Sequence, residues 1–198
     1  MKSGSWTGRL IIEDGMKKLI LLFVCITGCV SLAVGQKYYS KTGHVHFISE
    51  APIETIEADN NNCYVVFDEA TGQFEFSVLI KGFTFQKALM QEHFNENYME
   101  SDTYPKAVYK GSITNWASIH LMNDHVFEVN VEGQLTIHGI TKPFKCPASL
   151  TMKNGGVSAN AAFEIVIADF NIQIPKVVRD NISKSVKVTV KADLQPIK

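Results

Sequence analysis

From about residue 43 onward the chain alternates apolar and polar side chains with the period of two that a β-strand requires. In the clearest run, 126–137, Phe127, Val129, Val131, Leu135 and Ile137 share one face and Glu128, Asn130, Glu132, Gln134 and Thr136 the other. That is a strand with one dry and one wet face. The same alternation sets Phe74, Phe76, Val78 and Ile80 against Gln73, Glu75, Ser77 and Lys81, and Val186, Val188, Val190, Ala192 and Leu194 against Lys187, Thr189, Lys191 and Asp193. Weaker strands are predicted at 44–49, 52–58, 62–68, 107–115, 143–152 and 156–167, and Asn154-Gly155-Gly156 marks a hairpin between the last two. Eight or nine such strands without βαβ spacing predict an all-β fold, an antiparallel barrel or sandwich. No repeat, linker or low-complexity tract divides this stretch.

One segment departs from the pattern. Between Gln86 and Met99 the apolar residues Leu89, Met90, Phe94 and Tyr98 recur at helical spacing, with Gln91, Glu92, Asn95 and Glu96 elsewhere on the wheel. A short amphipathic helix is expected here. With Phe83 and Phe85 just before it, the region is locally aromatic, so the helix either closes one end of a barrel as a lid or packs against its outside.

The composition, 45% hydrophobic with 20% charged residues over 198 positions, is that of an ordinary globular domain. The 19 basic and 20 acidic side chains nearly cancel, and no Lys/Arg cluster occurs after residue 18. Without a basic footprint, nucleic acid is not an expected partner.

The N-terminus reads as a leader, residues 1–35, ahead of a domain at 36–198. Met16-Lys17-Lys18 supplies a positive n-region, Leu19 to Ile26 an apolar run, and Ala33-Val34-Gly35 before Gln36 the small residues of a cleavage site. The first 15 residues make little sense upstream of such a signal, so the expected translation start is Met16. The apolar run breaks at Thr27-Gly28, which fits a cleaved signal better than a retained membrane span. Ile26-Thr27-Gly28-Cys29 also resembles a bacterial lipobox, which gives a second route: a lipoprotein anchored in a membrane through lipidated Cys29. Either route exports the protein, as a periplasmic or secreted product or as an anchored one. Cys25 and Cys29 belong to the leader; Cys63 and Cys146 share strand parity with apolar neighbours and are expected as two buried thiols, although an exported compartment would also permit a bridge. Two cysteines so far apart make no zinc site.

Several short motifs then fall in order along the chain. Leu135-Thr136-Ile137-His138-Gly139-Ile140-Thr141-Lys142-Pro143 resembles the LTIxGxTK strand and turn of the YceI-like family. Met90-Gln91-Glu92-His93-Phe94 resembles the family segment ending in His-Leu/Phe, Tyr104-Pro105 its Tyr-Pro, and Ala168-Asp169-Phe170-Asn171-Ile172 its Asp-Phe-Gly-Ile. The chain departs from the family at Met90-Gln91, where an Arg-Asp pair is common, and at Asn171, where Gly is common. The resemblance implies an extended eight-stranded antiparallel lipocalin-like barrel whose apolar interior holds a polyisoprenoid or related lipid, in a secreted or periplasmic protein.

The residues themselves support a hollow interior. By parity the inward set of strand 156–167 is Val157, Ala159, Ala161, Phe163, Ile165 and Ile167, and two adjacent alanines fill a lumen poorly. The opposing reading is that Phe127, Phe144, Phe163 or the helix fills the gap. No charged residue has inward parity on the clearest strands, so a ligand held there would be neutral and apolar. The residues expected around it are Phe76, Val78, Phe127, Val129, Phe144, Ala159, Ala161, Phe163 and Ile165 from the barrel, Phe83, Phe85, Leu89, Met90, His93 and Phe94 from the lid region, and Phe170.

Catalytic constellations are weak by comparison. His44 and His46 point the same way from one strand, a spacing usable by a metal, but Val45 and Phe47 take the inward parity and leave the histidines toward solvent. His93 could bond a ligand head group or cap neighbouring backbone. His120, His125 and His138 fall in turns or on polar faces, and Asp169 has no visible acid/base partner. There is no nucleophile elbow, His-Glu-x-x-His or phosphate loop. The expectation is therefore a non-enzymatic carrier or reservoir of an apolar lipid in the cell envelope, monomer or homodimer, with no required cofactor or metal. A barrel of structural role without ligand, and an enzyme acting on a lipid, are the other two classes.

Overall fold

A computed structural model describes residues 35–121 and 124–197; the leader features at Met16, Cys25, Cys29 and the Ala33-Val34 side of the cleavage site lie outside the described residues. Nine strands are formed: β1 (Lys37–Glu50), β2 (Thr55–Asp68), β3 (Gln73–Leu79), the two-residue β4 (Thr84–Phe85), β5 (Lys106–Ile113), β6 (Val126–Ile137), β7 (Ile140–Lys153), β8 (Gly156–Val166) and β9 (Ser185–Pro196). All pairs are antiparallel. The order β1-β9-β8-β7-β6-β5-β3-β2 returns to β1 through the β1–β2 pairing, so eight strands close into a barrel, and β4 adds to β2 at Ala58↔Phe85. Closure leaves no free edge among these eight strands.

Two-residue turns set the register where the sequence signals them. In the β7–β8 hairpin Asn154 (φ 51) and Gly155 (φ 75) take the paired positive φ of a tight turn, and His138 (φ 49) and Gly139 (φ 73) do so between β6 and β7. Asn171 is likewise left-handed (φ 56), which accounts for glycine as the common family residue there; Asn tolerates the region better than most side chains.

The predicted strands at 52–58 and 62–68 are one strand, β2. The split arose because its inward parity changes partway: Ala58 and Asn60 are buried before the change, Cys63, Val65 and Phe67 after it. A matching shift in β1 passes from Tyr38 and Ser40 to Gly43 and Val45, with register irregularities at Ser40/Gly43 and Gly43/Val45. Bulges of this kind bend a strand and let a barrel turn a corner. Asn60 is buried there and satisfied: its amide donates to the Leu79 carbonyl at 2.9 Å, and its Oδ1 accepts from the Asn62 amide at 2.9 Å.

The expected helix is present as α1 (Ala88–His93), continued by a π-helical turn, Phe94–Tyr98. It lies at the barrel end where β1 leads into β2 and β8 into β9. At the other end Trp116 packs edge-on against Phe67 with centroids 5.2 Å apart and donates its indole N–H to the Glu69 carbonyl at 2.7 Å. Among the described residues no helix is long and apolar enough to cross a membrane.

Candidate functional site

The inward faces of the eight strands enclose a cavity of about 260 Å³ whose exposed wall is wholly apolar. Its shape follows from side-chain size. Phe76, Phe144 and Phe163 reach in from three strands, but Ala148, Ala159 and Ala161 are short, and β8 and β9 place Ala159 beside Ala192 and Ala161 beside Val190. Phe74, Phe76, Phe144, Ala159, Ala161, Phe163 and Ile165 all face inward yet stay only half-buried, because the space in front of them is empty. In a filled core these positions would lose nearly all exposure. Tyr109 is the phenol among these apolar groups; its hydroxyl donates to the Phe144 carbonyl at 3.1 Å, and burial pushes its pKa upward.

A second chamber of about 210 Å³ adjoins the first. The β1–β2 turn supplies Ser49, Glu54 and Ile56 to it, α1 and its continuation supply Met90, His93, Phe94 and Tyr98, and the β8–β9 connection supplies Ile174, Val178, Asn181 and Ile182. Unlike the lumen it has polar groups in its wall. Between the two chambers stands an aromatic cluster in which Phe94 lies 5.6 Å from Phe47, 5.7 Å from Phe83 and 5.0 Å from Phe85. Phe94 lines both spaces. Of the two readings of the helix, lid or outer packing, the geometry is that of a lid, pinned at its start where Gln91 Oε1 accepts from the Phe85 amide at 3.2 Å.

Of the expected residues, Phe76, Val78, Phe83, Phe94, Phe144, Ala159, Ala161, Phe163 and Ile165 line the lumen, and Phe85, Met90 and His93 line the outer chamber. Four do not line either. Leu89 is exposed, because the cavity-facing row of the helix runs Met90, Phe94, Tyr98 and the preceding residue lies about 100° around the wheel. Phe127 and Val129 have the expected inward parity and lie near the start of β6, Val129 buried in the core and Phe127 half-buried against it. Phe170 is buried in a 3-10 turn and contributes its carbonyl, which meets His138 Nδ1 at 3.2 Å. His93 is exposed and, among the described residues, makes no cap to neighbouring backbone. Parity also identifies Phe74, Val186 and Val188 as lining residues. The outer-chamber residues Ile174, Val178, Asn181 and Ile182 lie in an irregular segment with no period to reveal them.

The sequence motifs converge elsewhere. His138 and Gly139 of the β6–β7 turn meet Tyr104, whose ring is 4.5 Å from the His138 ring and so close to Gly139 that a Cβ there would approach it to 2.6 Å. Lys142 bonds Asp169 at 2.9 Å, which gives Asp169 a structural role beside Phe170. His138 Nε2 is buried without a hydrogen bond, 3.7 Å from the Glu100 carboxylate. These residues lock three connections together and do not line the cavity.

His44 and His46 project outward and both meet Asp59 Oδ1, at 2.7 and 3.1 Å. Partial burial works to raise the Asp59 pKa, but the two imidazole hydrogen bonds outweigh it and hold the carboxyl below its ordinary value. Cys63 and Cys146 are free, buried thiols pushed up to about 12 and about 11 by desolvation. Among the described residues no group of three or more His, Cys, Asp and Glu is arranged to hold a metal ion.

Comparison with known proteins agrees with this architecture. The barrel is similar to a polyisoprenoid binding domain from Saccharophagus degradans implicated in plant cell wall breakdown, with a TM-score of 0.73, 13% identity, and coverage of 82% of this chain and 99% of that one. It is also similar to Burkholderia cenocepacia BcnA (TM-score 0.62, 17% identity, 77% and 95% covered) and to the Campylobacter jejuni YCEI protein (TM-score 0.52, 13% identity, 69% and 81% covered). A search of curated proteins gives no significant sequence match. At these identities the likeness in structure speaks for the fold alone, but the profile of the YceI-like domain matches residues 40–194, from within β1 to within β9, and takes in every motif that ties the connections together. The chain therefore belongs to the YceI-like family.

Proposed function

We propose that this protein is a non-catalytic carrier or reservoir that holds the tail of a long neutral lipid, of isoprenoid type, inside its barrel. The observation that carries this reading is the hollow lumen: about 260 Å³ with no polar surface. Water gains little there, and each methylene moved into such a space contributes about 0.8 kcal/mol. The adjoining chamber, with Glu54, His93 and Asn181 in its wall, suits the polar end of the same molecule. The Saccharophagus domain of like fold is described as binding polyisoprenoid, which supports that ligand class.

The leader places this activity, in our reading, in the periplasm or outside the cell, with anchoring through lipidated Cys29 as the other route. An intact mass of the exported product decides between them: a chain beginning at Gln36 supports soluble export, and a diacylated Cys29 supports the anchor.

The ligand reading is tested by native mass spectrometry of the purified protein, followed by organic extraction and lipid analysis. A co-purified long-chain neutral lipid is the expected result. A clean ligand-free mass, together with no uptake of a fluorescent isoprenoid analogue, would instead indicate a barrel of structural role. A covalently altered lipid after incubation would overturn the non-catalytic part.

A further inference from the structure

The most exposed large apolar side chains among the described residues are Val177 at 90%, Ile53 at 68% and Leu89 at 62%. They come from three separate parts of the sequence, yet each is the immediate neighbour of a residue lining the outer chamber: Val178, Glu54 and Met90. The three segments are tied to one another. The Ile53 amide donates to the Asp180 carbonyl at 3.4 Å, the Ser183 amide to Ser49 Oγ at 2.9 Å, and Lys87 Nζ to Glu54 Oε1 at 2.8 Å. The barrel mouth thus carries an apolar rim held in place by polar contacts beneath it.

Single exposed apolar residues are ordinary, but the three most exposed ones gathered round one opening are not. Charge adds a direction. The segment 175–184, which carries Val177, presents exposed Lys176, Arg179 and Lys184 against the single acid Asp180, while on the other two rim segments Glu54 and Glu50 are paired with Lys87 and Lys187 at 2.8 and 2.6 Å and Glu92 is an exposed acid. Apolar tips beside basic side chains are the composition of a surface that inserts shallowly among lipid tails while its cations meet anionic head groups.

We propose that this rim is a docking surface for an anionic lipid bilayer, through which ligand passes directly between membrane and lumen. The inference rests on the lumen taking a lipid, and supplies what that reading lacks, since a long apolar molecule enters water only at a large free-energy cost. The mouth would face the membrane, and lipid would move past Phe94 without crossing bulk water.

Hydrogen exchange of the full chain, read peptide by peptide, tests the surface locally and independently of anything the leader does. Adding vesicles that contain phosphatidylglycerol should slow exchange in peptides spanning 50–56, 86–94 and 174–184 and leave 111–121 unchanged, with a weaker effect for phosphatidylcholine alone. Ile53→Asp/Val177→Asp should lose that protection, and Lys176→Glu/Arg179→Glu should lose its dependence on anionic lipid, both with an unaltered unfolding midpoint. No protection at the rim, or equal protection in both variants, would overturn the proposal. Uptake of a fluorescent isoprenoid analogue without vesicles is measured in parallel: rim protection without uptake removes the carrier reading and leaves the surface, while uptake without protection removes the surface and leaves the carrier.

Discussion

Ala159 and Ala161 occupy inward positions on β8 where larger residues would close the lumen, so their small size is a property of the cavity. Ala161→Phe should therefore fill empty space: uptake of a fluorescent isoprenoid or fatty-acid analogue falls sharply while the denaturation midpoint stays near that of the parent. In a tight interior the same change would cost about 1–3 kcal/mol of stability and leave uptake alone. Leu194 gives the contrast, since it is 2% exposed; Leu194→Ala should lose about 2–5 kcal/mol in the same denaturation series. The thiols make a second prediction at this scale. An unfolded thiol ionises near 9.0, whereas Cys63 and Cys146 are held neutral in the fold up to about 12 and about 11. Because the folded pKa is raised, this contribution is fully present below pH 9.0 and is lost as pH rises toward those values, at up to about 1.4 kcal/mol per thiol per pH unit. Unfolding free energy measured between neutral pH and this window should fall, less steeply in Cys63→Ala once its neutral-pH offset is subtracted, and thiol reagents should label the folded protein slowly. Burial of both cysteines was legible from parity; the parity shift beside Cys63 was not, since a bulge depends on what the neighbouring strand does.

At the scale of elements, α1 with its π-helical turn is the piece whose position carries function. Its apolar spacing announced a helix, but a row of apolar residues says only that something covers it. The structure supplies the cover: Met90, Phe94 and Tyr98 turn toward the outer chamber, and Phe94 fits among Phe47, Phe83 and Phe85. Phe94→Ala should widen the passage between the two chambers, both of which Phe94 lines. The expected result, read by stopped-flow release of a bound fluorescent analogue, is dissociation faster by about tenfold, equivalent to ~1.4 kcal/mol, with uptake capacity retained. An unchanged rate would mean that the aromatic cluster only packs the mouth. The hairpin turns behave differently. Asn154-Gly155 and His138-Gly139 adopt the conformations their residue types favour, so these elements could be read locally.

For the whole molecule, barrel closure lies entirely within 37–196, with Lys37 paired to Asp68 and the Ile197 amide donating to the Lys37 carbonyl at 2.7 Å. A chain beginning at Gln36 should accordingly unfold in a single cooperative transition, with coincident midpoints by fluorescence and circular dichroism. Separate transitions, or a molten chain, would show that the leader contributes to the fold. Alternation along each strand is a local property, set by the fact that successive side chains leave a strand on opposite sides, and it was enough to predict an antiparallel barrel or sandwich of eight or nine strands, its dry face and much of the lumen wall. The family motifs added its closure as an eight-stranded lipocalin-like barrel. Tertiary structure alone decided the rest. Whether an interior is full or hollow depends on the summed volumes of side chains from eight strands, so no single strand could say that Val129 would be packed while Ala159 and Phe163 faced open space. The outer chamber and its rim depend on contacts between distant segments, such as Ile53 with Asp180 and Lys87 with Glu54, and irregular backbone held by such contacts has no period for a sequence to display.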